Sequence, residues 1–196
     1  MIHVGAHHGE EILRYASAGL RVVWIEANPA CMKKLRKNLS GFVRQRAIQA
    51  LIGGKASPQR AFFLASNDGA SSSVFPIAEH QYIWPDIKMY GKVFLPQQTL
   101  PETLLKEGIA VSDYDTLVLD VQGAELEVLH GIPALRQTFE KIELEAADFP
   151  SYEGGTTRAQ IHAYLVKEGF EELEAIKFAS DNQQRNYFTC RYLRSR

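Results

Sequence analysis

Apolar runs alternate with helix-spaced segments over most of this chain, and that alternation constrains the fold more than any other feature of the sequence. It is the pattern of βαβ units, whose parallel strands need a crossover helix between them and so stack helices on a mainly parallel sheet. Residues 2–6, 21–26 and 46–52 read as the first three strands, with helices over 10–18 and 31–39 between them. Asn28-Pro29 supplies a cap and a first-turn proline, while Gly19 and Ser40-Gly41 are natural stops. A further strand at 59–65 falls outside the alternation; a short helix at 101–107 and a buried strand at 115–121 follow. A helix over 124–139, broken near Gly131-Ile132-Pro133, leads to a strand at 141–146 and a helix at 157–168. The last two strands, 170–178 and 186–193, are too close in sequence for a crossover helix, so they pair as an antiparallel hairpin.

Residues 66–98 show no sustained period, and a stretch this long without regular structure in a compact domain reads as a substrate or lid segment. With no linker or repeat, the 196 residues read as a single domain over 1–196. Lys plus Arg number 22 against 23 Asp plus Glu, so no broad positive field gathers phosphate backbones, and nucleic acid is not an expected partner. Cys31 and Cys190 make neither a disulfide framework nor a zinc ligand set, which fits a reducing compartment. The first residues lack the basic and apolar regions of a signal peptide, and no run is long enough to span a membrane, so a cytoplasmic protein without membrane insertion is expected.

In a doubly wound sheet, ligands bind beyond the carboxyl ends of the strands where the strand order reverses. Gly5-Ala6-His7-His8-Gly9 is a strand end followed by a glycine-bearing turn into a helix, and Gly5 and Gly9 let backbone approach a ligand. Glu26, twenty-one positions beyond Gly5, ends the second strand, where a carboxylate can accept hydrogen bonds from both hydroxyls of a ribose. This spacing suits adenosylmethionine and NAD alike, although the full G-x-G-x-x-G dinucleotide fingerprint is missing.

The segment Asp120-Val121-Gln122-Gly123-Ala124-Glu125-Leu126-Glu127-Val128-Leu129-His130-Gly131 closely resembles the signature after strand four in the FkbM family of methyltransferases. Val4-Gly5-Ala6-His7-His8-Gly9 is similar to that family's first motif and Trp24-Ile25-Glu26-Ala27-Asn28-Pro29 to its second. Thr99 to Leu105 is similar to its segment before strand four, and Ser71-Ser72-Ser73 to its serine-rich loop. His3 and His7 depart from the pattern, standing where many members have Asp and Asn. The resemblance implies an α/β, class I methyltransferase-like (Rossmann-like) doubly wound sheet, ending in an antiparallel hairpin, with S-adenosyl-L-methionine as donor. By position it implies Gly5, His7 and Gly9 on the methionine side, Glu26 at the ribose, Ala50-Leu51 at the adenine, and Ala27 as a further cofactor contact. Ser72 joins them as a cofactor contact, and Asp120 and Gln122 face the reacting centre.

Methyl transfer to a hydroxyl needs alignment and a group to take the proton. Asp120, at a strand end, is the first candidate base, with a helix-start carboxylate as the plainer reading; His80, in the irregular segment, is the substrate-side candidate, with an exposed loop histidine as its plainer reading, and His3 and His7 are the cofactor-side alternatives. Asp120, Glu143 and Glu145 could instead converge on a divalent ion, whereas His7-His8, whose adjacent side chains ordinarily diverge, lacks an apparent third zinc ligand. No metal is therefore expected. The acceptor reads as a small molecule or glycan, with Tyr82, Trp84 and Tyr90 available to stack on sugar rings. A nicotinamide-dependent oxidoreductase and a non-catalytic nucleotide-binding domain are the rival readings.

Overall fold

The computed structural model describes residues 1–195. The strands are β1 (Ile2–Val4), β2 (Val22–Glu26), β3 (Gln45–Gln49), β4 (Leu51–Ile52), β5 (Ser57–Ala65), β6 (Met89–Gln98), β7 (Thr116–Leu119), β8 (Lys141–Ala147), β9 (Phe170–Ser180) and β10 (Asn186–Arg194). The helices are α1 (Ile12–Ser17), α2 (Pro29–Asn38), α3 (Leu100–Lys106), α4 (Glu125–His130), α5 (Leu135–Thr138) and α6 (Arg158–Lys167). Seven strands form one sheet in the order β3-β2-β1-β7-β8-β10-β9, and β4-β6-β5 form a second, smaller sheet. In the large sheet β10 runs antiparallel to both β8 and β9, and the other pairs are parallel. The order reverses between β1 and β7, which puts their carboxyl ends at the topological switch point.

Alternation sorts the core into two layers. Ile2, Val4, Val23 and Ile25 face one side with Leu104, Val128, Leu129, Ile161 and Leu165. Val22 and Trp24 face the other, against Ile12, Tyr15, Met32 and Leu35 of α1 and α2. Asn28 caps α2 by accepting from the Ala30 amide at 3.0 Å, and Thr99 with Glu102 closes a capping box on α3. The C-terminal hairpin forms as the spacing predicts.

Three expectations change. The strand expected over 46–52 divides at Ala50: β3 stays on β2, while β4 crosses to pair with β6. The helix over 124–139 is broken where expected, but more deeply: α4 and α5 are both short, separated by Pro133 and by Ala134 in a left-handed conformation. The segment 66–98, expected to be irregular, ends in the ten-residue strand β6, paired antiparallel with β5. Its alternation is hidden because Tyr90 and Phe94 stand exposed on the solvent side, while Val93 and Leu95 turn inward, with Gly91 and Pro96 interrupting the pattern. No described helix is long and apolar enough to cross a membrane.

Candidate active site

A cavity of 330 Å³ opens at the carboxyl ends of β1, β2 and β7, a size within the range of small-molecule sites. Gly5, His7, Glu26, Ala27, Ala50, Leu51, Ser72, Asp120 and Gln122 all line it. Gly9 does not: a Cβ there would meet Ile12 Cδ1 at 2.5 Å and Leu35 Cδ1 at 2.7 Å, so its hydrogen lets α1 and α2 close behind the loop. Gly5 has a φ of +82°, and a Cβ on it would stand 1.8 Å from the Asp120 carbonyl oxygen. The two strand ends that frame the cavity therefore touch backbone to backbone.

Glu26 is buried, and its carboxylate is already half committed. The His7 amide donates to Oε2 at 2.8 Å and the Asn28 amide to Oε1 at 2.6 Å. An ionised carboxylate has about four acceptor positions, so two remain for donors arriving in the cavity. Burial pushes its pKa up to about 7, against the pull of those two amides. A ligand offering two hydroxyls would favour the charged form, and the chemistry of a ribose diol fits this site.

At the inner end, Asp120 accepts from the Gln122 side-chain amide at 2.5 Å, and Gln122 in turn accepts from the Tyr152 hydroxyl at 2.7 Å. Gln122 and Gly123 both sit at positive φ, a turn that aims the Gln122 side chain back over Asp120. Burial raises the Asp120 pKa above the usual carboxylate range despite the Gln122 donor. Glu125 holds the turn from beneath, accepting from the amides of Val121 at 3.1 Å and Gly123 at 3.3 Å. Tyr152 and Glu125 are missing from the sequence-based site. A glutamate five positions after a strand-end aspartate, in the first turn of a helix, was the available signal for the second.

Glu125 also sets a pH dependence of stability. Burial lifts its pKa from 4.5 to about 8, so the folded chain keeps a proton that the unfolded chain loses, and stability falls as pH rises through that interval. The wild-type melting temperature is expected to drop between pH 6.5 and pH 8, with Glu125 contributing about 1.5 kcal/mol of the loss. Glu125→Gln is expected to flatten that slope in thermal melts; an unchanged slope would remove Glu125 as its source.

His80 is not among the residues lining the cavity. It is 1% exposed, its Nε2 lies 3.1 Å from Ser71 Oγ, and its ring packs against Trp84 and Tyr152. Burial pushes its pKa down to about 4, which makes it a neutral packing group that braces the serine loop from outside. Within that loop Ser72 Oγ accepts from the Ala65 amide and Ser73 Oγ donates to the Gln122 carbonyl at 2.7 Å, tying the loop to the Asp120 turn. His3 is also buried, stacked on Trp24 with ring centroids 5.1 Å apart, but unlike His80 it lines the cavity. Trp84 packs against Tyr187, and Arg185 covers the Tyr82 ring at 3.9 Å.

Asp120 also borders a second, more polar cavity of 200 Å³, with Glu11, Arg14, Glu143, Glu145, Thr189 and Arg191 among its walls. Glu143 is engaged by Arg191 Nε at 2.6 Å. Among the described residues, Asp120, Glu143 and Glu145 do not gather closely enough to form a ligand set.

Residues 3–172 match the methyltransferase FkbM domain family. No curated protein sequence matches the chain. Among solved structures, magnesium protoporphyrin IX methyltransferase from Synechocystis PCC 6803, crystallised with S-adenosylmethionine, is 14% identical with a TM-score of 0.53, covering 99% of this chain and 69% of that one. Precorrin-6y C5,15-methyltransferase from Geobacter metallireducens GS-15 is 14% identical with a TM-score of 0.51, covering 100% and 79%. TrmK from M. capricolum, in complex with S-adenosylhomocysteine, is 9% identical with a TM-score of 0.54, covering 98% and 61%. At these identities the structural likeness establishes the class I, Rossmann-like fold.

Proposed function

Since the chain belongs to the methyltransferase FkbM domain family, whose members use S-adenosyl-L-methionine, we propose that it is an O-methyltransferase acting on a hydroxyl of a saccharide, glycan precursor or natural product. One observation carries the reading: the glycine turn and the Glu26 carboxylate frame the same cavity whose inner wall is Asp120. The donor, when bound, supplies a methyl group already activated by its sulfonium charge. Glu26 takes the ribose hydroxyls, Ala27, Ala50 and Leu51 flank the adenine, and the backbone of residues 5–7 lies along the methionine portion. Ser72 closes the wall of the same cavity.

What the chain must add is alignment and a destination for the proton. Asp120 is that destination. Its carboxyl is held above the usual range by burial and oriented by Gln122, so it is more basic than an exposed aspartate. The acceptor approaches from the polar cavity that shares Asp120, His3 and Glu11 with the donor cavity, where glutamates, arginines and Thr189 offer the donors and acceptors that a polyhydroxylated molecule needs. Tyr82, Trp84 and Tyr90 are not among the residues lining either cavity and take no part in this reading.

Calorimetric titration with S-adenosylhomocysteine, with NAD in parallel, is the first test. Glu26→Ala is expected to weaken homocysteine-product binding by about 100-fold, the loss of two charge-assisted hydrogen bonds, while water replaces the carboxylate at the His7 and Asn28 amides and the fold survives. Unchanged affinity in a natively stable variant would sink the ribose assignment. Labelled donor offered with a panel of oligosaccharides tests the reaction: a base-stable methyl ether supports it, and a base-labile ester or a methylated nitrogen overturns it.

A further inference from the structure

His7, His8 and Cys31 form, among the described residues, a group whose ligand atoms all lie within 4.8 Å of one another. Consecutive side chains normally diverge. Here His7 adopts a φ of +44°, which turns the chain so that the two imidazoles lie face to face with centroids 3.6 Å apart. Cys31 reaches them from the first turn of α2, and Asp68 closes the remaining side. The Asp68 carbonyl is 3.2 Å from His7 Nε2 and 3.5 Å from Cys31 Sγ, and its carboxylate, paired with Lys34, is 3.8 Å from His8 Nε2.

Two features point to a cation in this space. The Glu10 carboxylate, with Oε1 2.7 Å from His7 Nδ1, orients the ring so that Nε2 faces Asp68. A carboxylate on the opposite ring nitrogen is the orienting partner that metal-binding histidines ordinarily have. His8 Nε2, meanwhile, is shut off from solvent without a hydrogen-bond partner. A tetrahedral zinc needs its nitrogen and sulfur donors about 3.4–3.6 Å apart, so the two rings must turn out of their stack for their in-plane lone pairs to converge on an ion.

We infer that His7, His8 and Cys31 bind a zinc ion, with an Asp68 oxygen or a water as fourth ligand, at the rim of the cofactor cavity. Two imidazoles and a thiolate favour zinc over magnesium or calcium. On binding, the Cys31 thiol proton passes to solvent and its sulfur bonds to the ion. The ion then joins the 5–10 turn and the 67–72 loop, which wall the cavity, to the start of α2.

Cobalt(II) titration of the reduced full chain, stripped of metal by chelation, tests this without any dependence on turnover. The expected result is a thiolate charge-transfer band that saturates at one equivalent and is displaced by zinc. Cys31→Ser is expected to abolish the band, and His8→Ala, at a position that lines neither cavity, to weaken cobalt binding more than about tenfold. Cys190→Ala is expected to leave the band unchanged. Absence of a stoichiometric band in the wild type, its survival in Cys31→Ser, or its loss in Cys190→Ala overturns the site. S-adenosylhomocysteine binding measured on the same samples separates this outcome from failure of the methyltransferase reading.

Discussion

Gly5→Ala is expected to lower stability by at least about 3 kcal/mol and to weaken S-adenosylhomocysteine binding by tenfold or more. Two costs coincide at this position. The backbone sits at φ +82°, where a side chain costs about 1–2 kcal/mol, and the new methyl carbon would fall 1.8 Å from the Asp120 carbonyl oxygen. Neither partner can yield cheaply, because the Asp120 amide donates to the Val4 carbonyl at 3.0 Å and the Gly5 amide to the Ile25 carbonyl at 2.9 Å. Relief comes only by parting β1 from β7, which displaces the turn and Asp120 together. Thermal melts should register a fall of about 6 °C or more for a chain of this length. Wild-type melting and affinity in Gly5→Ala would show that the strand ends are not in this close contact.

Asp120→Asn is expected to act on the chemical step instead. Removing a general base typically costs about 10²–10⁴-fold, so single-turnover methyl transfer to any acceptor of the wild type should fall within that range, while product affinity stays within a few-fold. The pH profile offers a second reading of the same residue. Burial holds the Asp120 pKa above the ordinary aspartate value, so the proton-accepting form is lost as pH falls through that raised pKa, and the wild-type rate should decline there. The variant should lack this acidic limb. An unaltered rate, or the same limb in Asp120→Asn, would assign the proton transfer to another group.

Much of this molecule is legible in the chain because its strongest local signals coincide with its global order. The apolar strands, the capped helices and the spacing of Gly5 and Glu26 each follow from residues close in sequence, and they bring most of the expected cofactor residues to one cavity. What escaped depends on distant partners. Nothing local to residues 89–98 reveals that β5 will pair with them, and nothing in 46–52 foretells that Ala50 hands the chain from one sheet to the other. His80 reads as a loop histidine beside aromatic residues; only tertiary packing against Tyr152 and Tyr187 turns it into an enclosed brace. Tyr152 reaches Gln122 from thirty positions away, a pairing with no trace in periodicity. The convergence of His7 and His8 depends on one backbone angle that histidine adopts infrequently.

Asp120 stands in the walls of two cavities, one lined by the glycine turn and Glu26 and the other by Glu143, Glu145 and Arg191. The two chambers meet at Asp120, His3 and Glu11, so donor and acceptor touch there while each keeps its own approach. If donor and acceptor enter by separate doors, neither has to wait for the other, and the spent donor can be exchanged while the acceptor stays in place. An acceptor carrying several equivalent hydroxyls would then be modified repeatedly during one residence, and partly methylated chains would be scarce among the products.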